Sequence, residues 1–297
     1  MDNLIDLIRS AEKNKVCIGH FNVSDSIVLK AIFESAKELT VPVIIGTSEG
    51  EAGFIGRDLA SAMVQRLRSE NKFPIFLNSD HTHSLEEVKK AVDAGYDAII
   101  FDASKLSFEE NIKQTKDAVE YIKSKSENIL VEGELGYLGD SSKLLKELPK
   151  NLAINSEDLT KPEEAAIFVK ETKIDLFAPA VGSMHGMLML ADKEGKANSV
   201  PRPLNIKRIS EIKNTVKTPL VLHGGSGTSD EDFVAAIDAG INIIHINTEI
   251  RVAWKNALES SLLTNKDEIA PYKILKPSFE GVKSVVKSRL QLFNKLV

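Results

Sequence analysis

The sequence predicts an α/β fold, a closed (β/α)8 barrel of the TIM type with an additional helix at each end, and three observations predict it. Short Val/Ile/Leu-rich runs, eight in number, alternate with longer amphipathic stretches along the whole chain, the pattern of parallel strands joined by crossover helices. The runs are continuously apolar, as strands covered on both faces must be. The length of 297 residues suits one such barrel with short additions, so residues 1–297 are expected to form a single domain.

In chain order, Met1 to Lys13 reads as an amphipathic helix covering the barrel bottom. Strands follow at Val16 to Val23, Val41 to Ser48 and Ile75 to Asp80. Ser84 with Glu87 has the spacing of a capping box and opens a helix, which Ala94-Gly95 ends with a residue suited to a left-handed cap. The fourth strand runs from Ala98 to Ala103, Ser107 with Glu110 opens the next helix, and the fifth strand spans Ile129 to Glu134. Tyr137 to Leu159 is a longer connection, expected to act as a lid or substrate-binding element, with its charged portion Lys143 to Lys150 partly helical. Thr160-Lys161-Pro162-Glu163-Glu164 starts another helix with an early proline and first-turn acids. The last three strands lie at Leu176 to Val181, Leu220 to His223 and Ile243 to Asn247, with a helix starting near Ser229 and stopping at Ala239-Gly240. Phe279 to Val297 reads as a terminal helix placed to pack on a second subunit.

Hydrophobic residues make up 42% of the chain, enough for a large core and too many for disorder. A net charge of −5 carries no electrostatic footprint for nucleic acid or for an anionic membrane, which leaves a small molecule as the expected partner. The single cysteine, Cys17, cannot form an internal disulfide, and Met1 to Ala11 lacks the pattern of a secretory signal, so a cytoplasmic location is expected. No apolar run is long enough to span a bilayer.

His81, His185 and His223 each follow an apolar, strand-like run at a loop or glycine-rich junction. In a closed barrel those junctions meet on one face, and three imidazoles with an open fourth position form a catalytic zinc arrangement. His83 competes with His81, because two residues along an extended segment return to the same side. Asp80, beside the first histidine, suits a general base or acid, its alternative being an acid for the helix that begins at Ser84. Asp102 is a weaker candidate of the same kind. Glu132 and Glu134 point the same way along the fifth strand, toward the interior, where a metal with its histidines or a neighbouring cation would compensate them. His223-Gly224-Gly225-Ser226-Gly227-Thr228 after the seventh strand and Asn247-Thr248 after the eighth occupy the two loops in which barrels commonly hold phosphate, although a plain tight turn has the same glycines.

Read together, the motifs from Cys17-Ile18-Gly19-His20-Phe21-Asn22-Val23 through Ser48-Glu49-Gly50, Asp80-His81, Glu132-Gly133-Glu134-Leu135-Gly136, Gly182-Ser183-Met184-His185-Gly186 and His223-Gly224-Gly225-Ser226-Gly227 to Thr248-Glu249 resemble the metal-dependent class II ketose-bisphosphate aldolases, of the fructose- and tagatose-bisphosphate type. The resemblance implies a TIM barrel, a homodimer or homotetramer, that acts in carbohydrate metabolism by cleaving and forming a ketose phosphate through a zinc-stabilised enediolate, with no lysine Schiff base. It implies one Zn2+ ion on His81, His185 and His223, with room for a monovalent cation. It also implies that Asp80 exchanges the proton of the C4 hydroxyl and that Glu134 is the acid near the metal. Asn22, Ser48, Gly186, Gly224, Ser226, Asn247 and Thr248 would line the substrate and its phosphate. Fructose 1,6-bisphosphate is the first substrate it suggests; a different keto-sugar phosphate, or a barrel that binds metal and sugar phosphate without catalysis, are the alternatives.

The chain departs from that pattern in three places. The lysine that usually follows the second zinc histidine is absent from His185-Gly186-Met187-Leu188-Met189. His245 stands where an asparagine of the eighth strand is expected, and would serve as a replacement hydrogen-bond donor to the intermediate or as a structural barrel histidine. The loop after Gly136 lacks its usual glutamate, for which Asp140 or Glu147 would have to substitute.

Overall fold

Eight parallel strands close on one another in the computed structural model of the protein, which describes residues 3–139, 143–146, 159–191 and 197–296. The strands of the barrel are β1 (Ile18–Asn22), β2 (Val43–Ser48), β3 (Ile75–Thr82), β4 (Ala98–Phe101), β5 (Leu130–Leu135), β7 (Leu176–Pro179), β10 (Leu220–Leu222) and β11 (Ile241–Ile246). They neighbour one another in chain order, and β11 returns to pair with β1. The remaining strands, β6 (Leu144–Leu145), β8 (Met187–Ala191) and β9 (Ala197–Ser199), form a small separate sheet in the loops that leave β5 and β7. The fold is the predicted one, and each predicted run overlaps a barrel strand, with β3, β5 and β11 extending past their runs by one or two residues. The partly helical segment expected over Lys143 to Lys150 is corrected where it is described: Leu144 and Leu145 pair in parallel with Met187 and Leu188, because this stretch lies against an edge that offers backbone partners.

Helices α1 (Leu4–Lys13), α2 (Ser26–Leu39), α3 (Glu49–Ile55), α4 (Arg57–Asn71), α5 (Leu85–Asp93) and α6 (Phe108–Lys125) precede the small sheet. Helices α7 (Pro162–Thr172), α8 (Ile206–Thr215), α9 (Asp230–Ala239), α10 (Thr248–Thr264), α11 (Pro271–Ile274) and α12 (Lys276–Phe293) complete the chain. Their starts follow the polar signals in the sequence. The hydroxyls of Ser84, Ser107 and Ser229 accept from the backbone N–H of Glu87, Glu110 and Asp232, and Pro162 opens α7. Gly240 ends α9 at φ 119°, a conformation that costs glycine nothing. None of the described helices is long and apolar enough to cross a membrane.

The core has two layers. Inside the barrel, Ile18, Ile44, Phe76, Leu130, Leu176, Val221 and Ile243 fill the N-terminal end, and Leu4, Ile8 and Ala11 of α1 plug it from below. Outside, the alternate strand residues pack against the ring of helices. The polar cluster described next therefore sits at the opposite, C-terminal end.

The terminal helix does not reserve its apolar face for another subunit. Val282, Val286, Leu290 and Phe293 of α12 are buried within this chain, against α2, α10 and β1, because that helix fills the gap where the ring of helices closes. Each such side chain contributes about 1.5–3 kcal/mol through burial. Leu290→Ala is accordingly expected to lower unfolding stability by about 2–5 kcal/mol in a urea titration; a helix serving only as a docking surface would show no such loss at monomer concentrations.

Candidate active site and metal centre

A cleft of ≈ 350 Å³ opens at the C-terminal ends of the strands, lined by Asn22, Ser48, Asp80, His81, His185, Gly186, Gly224, Ser226, His245, Asn247 and Thr248 among others. The sequence-predicted site residues thus face one space, except Glu134 and His223, which lie beneath it, buried.

At the cleft floor His81 and His185, and just beneath it His223 and Glu134, each bring one ligating atom to within 4.8 Å of the others. Neighbouring acids set the two outer imidazoles. Nε2 of His223 donates to Oε1 of Glu132 at 2.6 Å, leaving Nδ1 with its lone pair, and Nδ1 of His81 donates to Oδ2 of Asp102 at 2.9 Å, leaving Nε2. A histidine so held presents a fixed tautomer to a metal. His223 Nδ1, His185 Nε2 and Glu134 Oε2 are buried without hydrogen-bond partners, and buried polar atoms need a partner. Three imidazole nitrogens beside a carboxylate are the donor chemistry of a divalent transition metal, so the residues present fit such an ion.

Electrostatics agree. Burial works against charge on His81, but Asp80, Asp102 and Glu134 outweigh it and push its pKa up to about 9. Glu132 and Glu134 likewise raise His223 against its burial. Burial and the two neighbouring imidazoles lower His185 to about 3, which keeps it a neutral donor. The carboxylates therefore create a well for positive charge, to be filled by protons or by a metal that displaces them.

Asp80 lies beside this cluster through a local break in β3. The pairing of β3 with β4 shifts register between Ser79 and Thr82, and His81 takes φ 49°, sparsely populated for a residue with a Cβ. Strict alternation would send Asp80 and His81 to opposite faces; the irregularity lets both reach the site. Asn22 donates from Nδ2 to Asp80 Oδ2 at 2.7 Å, while Oδ1 is buried without a hydrogen-bond partner, 3.8 Å from His81 Nε2 and 3.6 Å from His245 Nδ1. Burial opposes its charge, but the flanking histidines hold its pKa well below the usual carboxylate range. A cleft-lining carboxylate anchored through one oxygen, with the other left without a hydrogen bond, is arranged to take up a proton.

The glycine loop after β10 and the start of α10 are stitched together. Backbone N–H groups of Asn247 and Glu249 donate to Ser226 Oγ at 3.2 and 3.3 Å, and Gly227 N–H donates to Glu249 Oε1 at 2.8 Å. Gly224 has φ 61°, and a Cβ there would lie 2.3 Å from the Met184 carbonyl oxygen, so only glycine permits this approach. Ser48 lines the cleft, but its hydroxyl is used in the capping box of α3 with Glu51.

Several candidates separate in space. His83 is largely exposed, bonded to the Asp102 carbonyl, and outside the metal cluster. Asp102 also lines the cleft, but its carboxylate is taken up by His81 and Ser104. Asp140 and Glu147 lie outside the described residues.

Sequence reasoning missed His20. Register pairing sets it beside His245, and the rings stack at 3.5 Å between centroids and 5° between planes. Gly46 leaves it room, since a Cβ there would come within 2.2 Å of the ring. His20, His245 and Asp80 also bring ligating atoms close together, yet a metal must lie near the plane of each imidazole it binds, and two parallel stacked rings share no such point. His245 Nε2 is buried without a partner.

Residues 2–296 match a family profile described as "Fructose-bisphosphate aldolase class-II". Curated relatives include a fructose-bisphosphate aldolase of Thermus caldophilus, 34% identical with 97% of this chain and 96% of that protein covered. Another from Staphylococcus aureus is 33% identical over 97% and 95%. Among solved structures, the YdjI aldolase from Escherichia coli K12 superposes with a TM-score of 0.79 at 28% identity, covering 99% of this chain and 97% of that one.

Proposed function

Because the chain belongs to the class II fructose-bisphosphate aldolase family, and is thus a metal-dependent aldolase, a carbon–carbon lyase, we propose that it cleaves and forms fructose 1,6-bisphosphate. The ion is zinc, and His81, His185 and His223 hold it. The observation that carries this reading is the pairing of a three-imidazole cluster, in which Asp102 and Glu132 fix the tautomers of His81 and His223 and His185 Nε2 has no hydrogen-bond partner, with an anchored carboxylate, Asp80, that lines the same cleft.

When bound, the ion supplies a Lewis acid for the negative charge that develops on the ketone oxygen. The protein supplies the rest. Asp80 Oδ1 accepts the proton of the C4 hydroxyl, the C3–C4 bond breaks as that oxygen becomes an aldehyde, and the bonding pair moves toward the C2 ketone. Glu132 and Asp102 keep His223 and His81 in their ligating tautomers, and Glu134 faces both rings. The loop of Gly224 and Ser226, with Gly186 and Thr248, seats one phosphate by backbone N–H groups, and Asn247 lines the same wall of the cleft. Lys105, Lys143 and Arg251, also on the cleft wall, suit the second. His245, with its free Nε2, acts as hydrogen-bond donor to the reacting fragment.

Chelation is expected to abolish cleavage of fructose 1,6-bisphosphate and added zinc or cobalt to restore it, while borohydride with substrate leaves activity intact. Turnover by the metal-free protein contradicts the reading. His245 in place of asparagine favours a second reading, the same chemistry on a different ketose phosphate, and kcat/KM across a panel of phosphorylated ketoses separates the two. Assembly as a homodimer or homotetramer in the cytoplasm belongs to the same proposal, and sedimentation of the purified protein checks the subunit number.

A further inference from the structure

Arg202 follows β9 on the segment that returns to α8, and it is half-buried without a carboxylate partner among the described residues. Its hydrogen bond among the described residues runs from Nη1 to Met184 Sδ at 3.6 Å, a weak acceptor. Burial lowers its pKa with no opposing charge to hold it up. A guanidinium so placed loses hydration without recovering it, and that cost calls for an anion.

The recess beside Arg202 indicates what kind of anion. It is lined by Ser183, Gly224, Ser226, Gly227 and Thr228, and it shares Gly224 and Ser226 with the main cleft. Ser183 Oγ is buried there without a hydrogen-bond partner. Gly225, Gly227 and Thr228 spend their N–H groups within the fold, on the His245 carbonyl, Glu249 and the Gly225 carbonyl, and the N–H groups of Gly224 and Ser226 have no such partner among the described residues; with a cation and an unpaired hydroxyl they are the donors a phosphate takes. The segment after His185, Met187-Leu188-Met189, offers no cation of its own.

We propose that Arg202 supplies the positive charge of the phosphate subsite, binding the phosphate of the substrate's ketone half against the Gly224–Thr228 loop. The ketone half is specified because Gly224 directly follows His223, so this loop adjoins the metal ligand and not the far wall of the cleft. The assignment rests on the sugar-phosphate reading of the cleft. The planar fork of arginine contacts two phosphate oxygens at once, which a lysine point charge does not reproduce.

The test compares the parent protein with Arg202→Met and Arg202→Lys, all metal-loaded. Inorganic phosphate is titrated by calorimetry, and KM and kcat are measured for the phosphorylated ketose and for the same ketose lacking the phosphate on its ketone half. Arg202→Met is expected to weaken inorganic phosphate and raise KM for the phosphorylated ketose by about 10- to 100-fold, the loss of a charge-assisted hydrogen bond. Arg202→Lys should fall between, kcat should change little, and the phosphate-free ketose should be handled as by the parent. Equal phosphate affinity in parent and Arg202→Met, absence of phosphate binding by the parent, or equal losses on both ketoses overturns the proposal. If the parent cleaves no ketose phosphate, the aldolase substrate reading fails, while the phosphate titration still decides the role of Arg202.

Discussion

Asp80→Ala is expected to retain its metal and lose about 10²- to 10⁴-fold in kcat for ketose-phosphate cleavage, the range spanned by loss of a positioned general acid or base. The carboxylate is not a member of the three-histidine set; its Oδ1 lies 3.8 Å from His81 Nε2 and its other oxygen is held by Asn22. Truncation therefore removes the proton acceptor and leaves the ligating nitrogens where Asp102 and Glu132 hold them. Metal content by atomic absorption should stay near the parent value, and KM should move less than kcat, since the proton moves only in the reacting complex. A variant that loses metal and turnover together would instead make Asp80 part of the ion's support. Asp80→Asn sharpens the test, because it keeps the shape and the contact with Asn22 while removing the basicity.

His223→Ala carries the second large effect, and its signature differs. His223 is fully buried between Glu132 and Glu134, with Nε2 2.6 Å from one and Nδ1 2.9 Å from the other. Its loss removes a proposed ligand and strands two carboxylates with 2% relative exposure each. Changes in residues that merely orient a ligand weaken metal binding by about 10–100-fold, so deleting the ligand should exceed about 100-fold. Turnover should disappear with the metal, and thermal stability should fall, because breaking a buried pair leaves an uncompensated charge. A His223→Ala protein that still binds one equivalent of zinc would remove His223 from the ligand set. The two variants thus form a pair, one losing chemistry with metal kept and the other losing both.

The barrel was legible because parallel strands with both faces covered must be apolar throughout, a signal that survives without knowledge of partners. Val43–Ser48 falls inside its predicted run, and Leu130–Leu135 passes the end of its own by one residue, for that reason. The clustering of His81, His185 and His223 was legible from their place after such runs. What the chain did not reveal depends on register and local backbone. Nothing in Asn78-Ser79-Asp80-His81 announces the positive φ at His81 or the shifted pairing that brings Asp80 to the site. The stack of His20 on His245 requires knowing that β1 closes the barrel against β11; the available signal was a histidine within a wholly apolar strand, opposite another at the same depth. Arg202 gives no local sign, since its lack of a carboxylate is a property of the fold around it. The terminal segment was legible as a helix, but its packing was assigned to a second subunit, because only the fold shows the gap beside α2 that it fills.

Diffraction from zinc-loaded crystals, collected on both sides of the zinc absorption edge, tests the central claim most directly. The account predicts one anomalous peak about 2.0–2.1 Å from each of His81 Nε2, His185 Nε2 and His223 Nδ1, with Asp80 outside the coordination sphere. A peak on the stacked pair of His20 and His245, or elsewhere with the three metal-site imidazoles unligated, would contradict it.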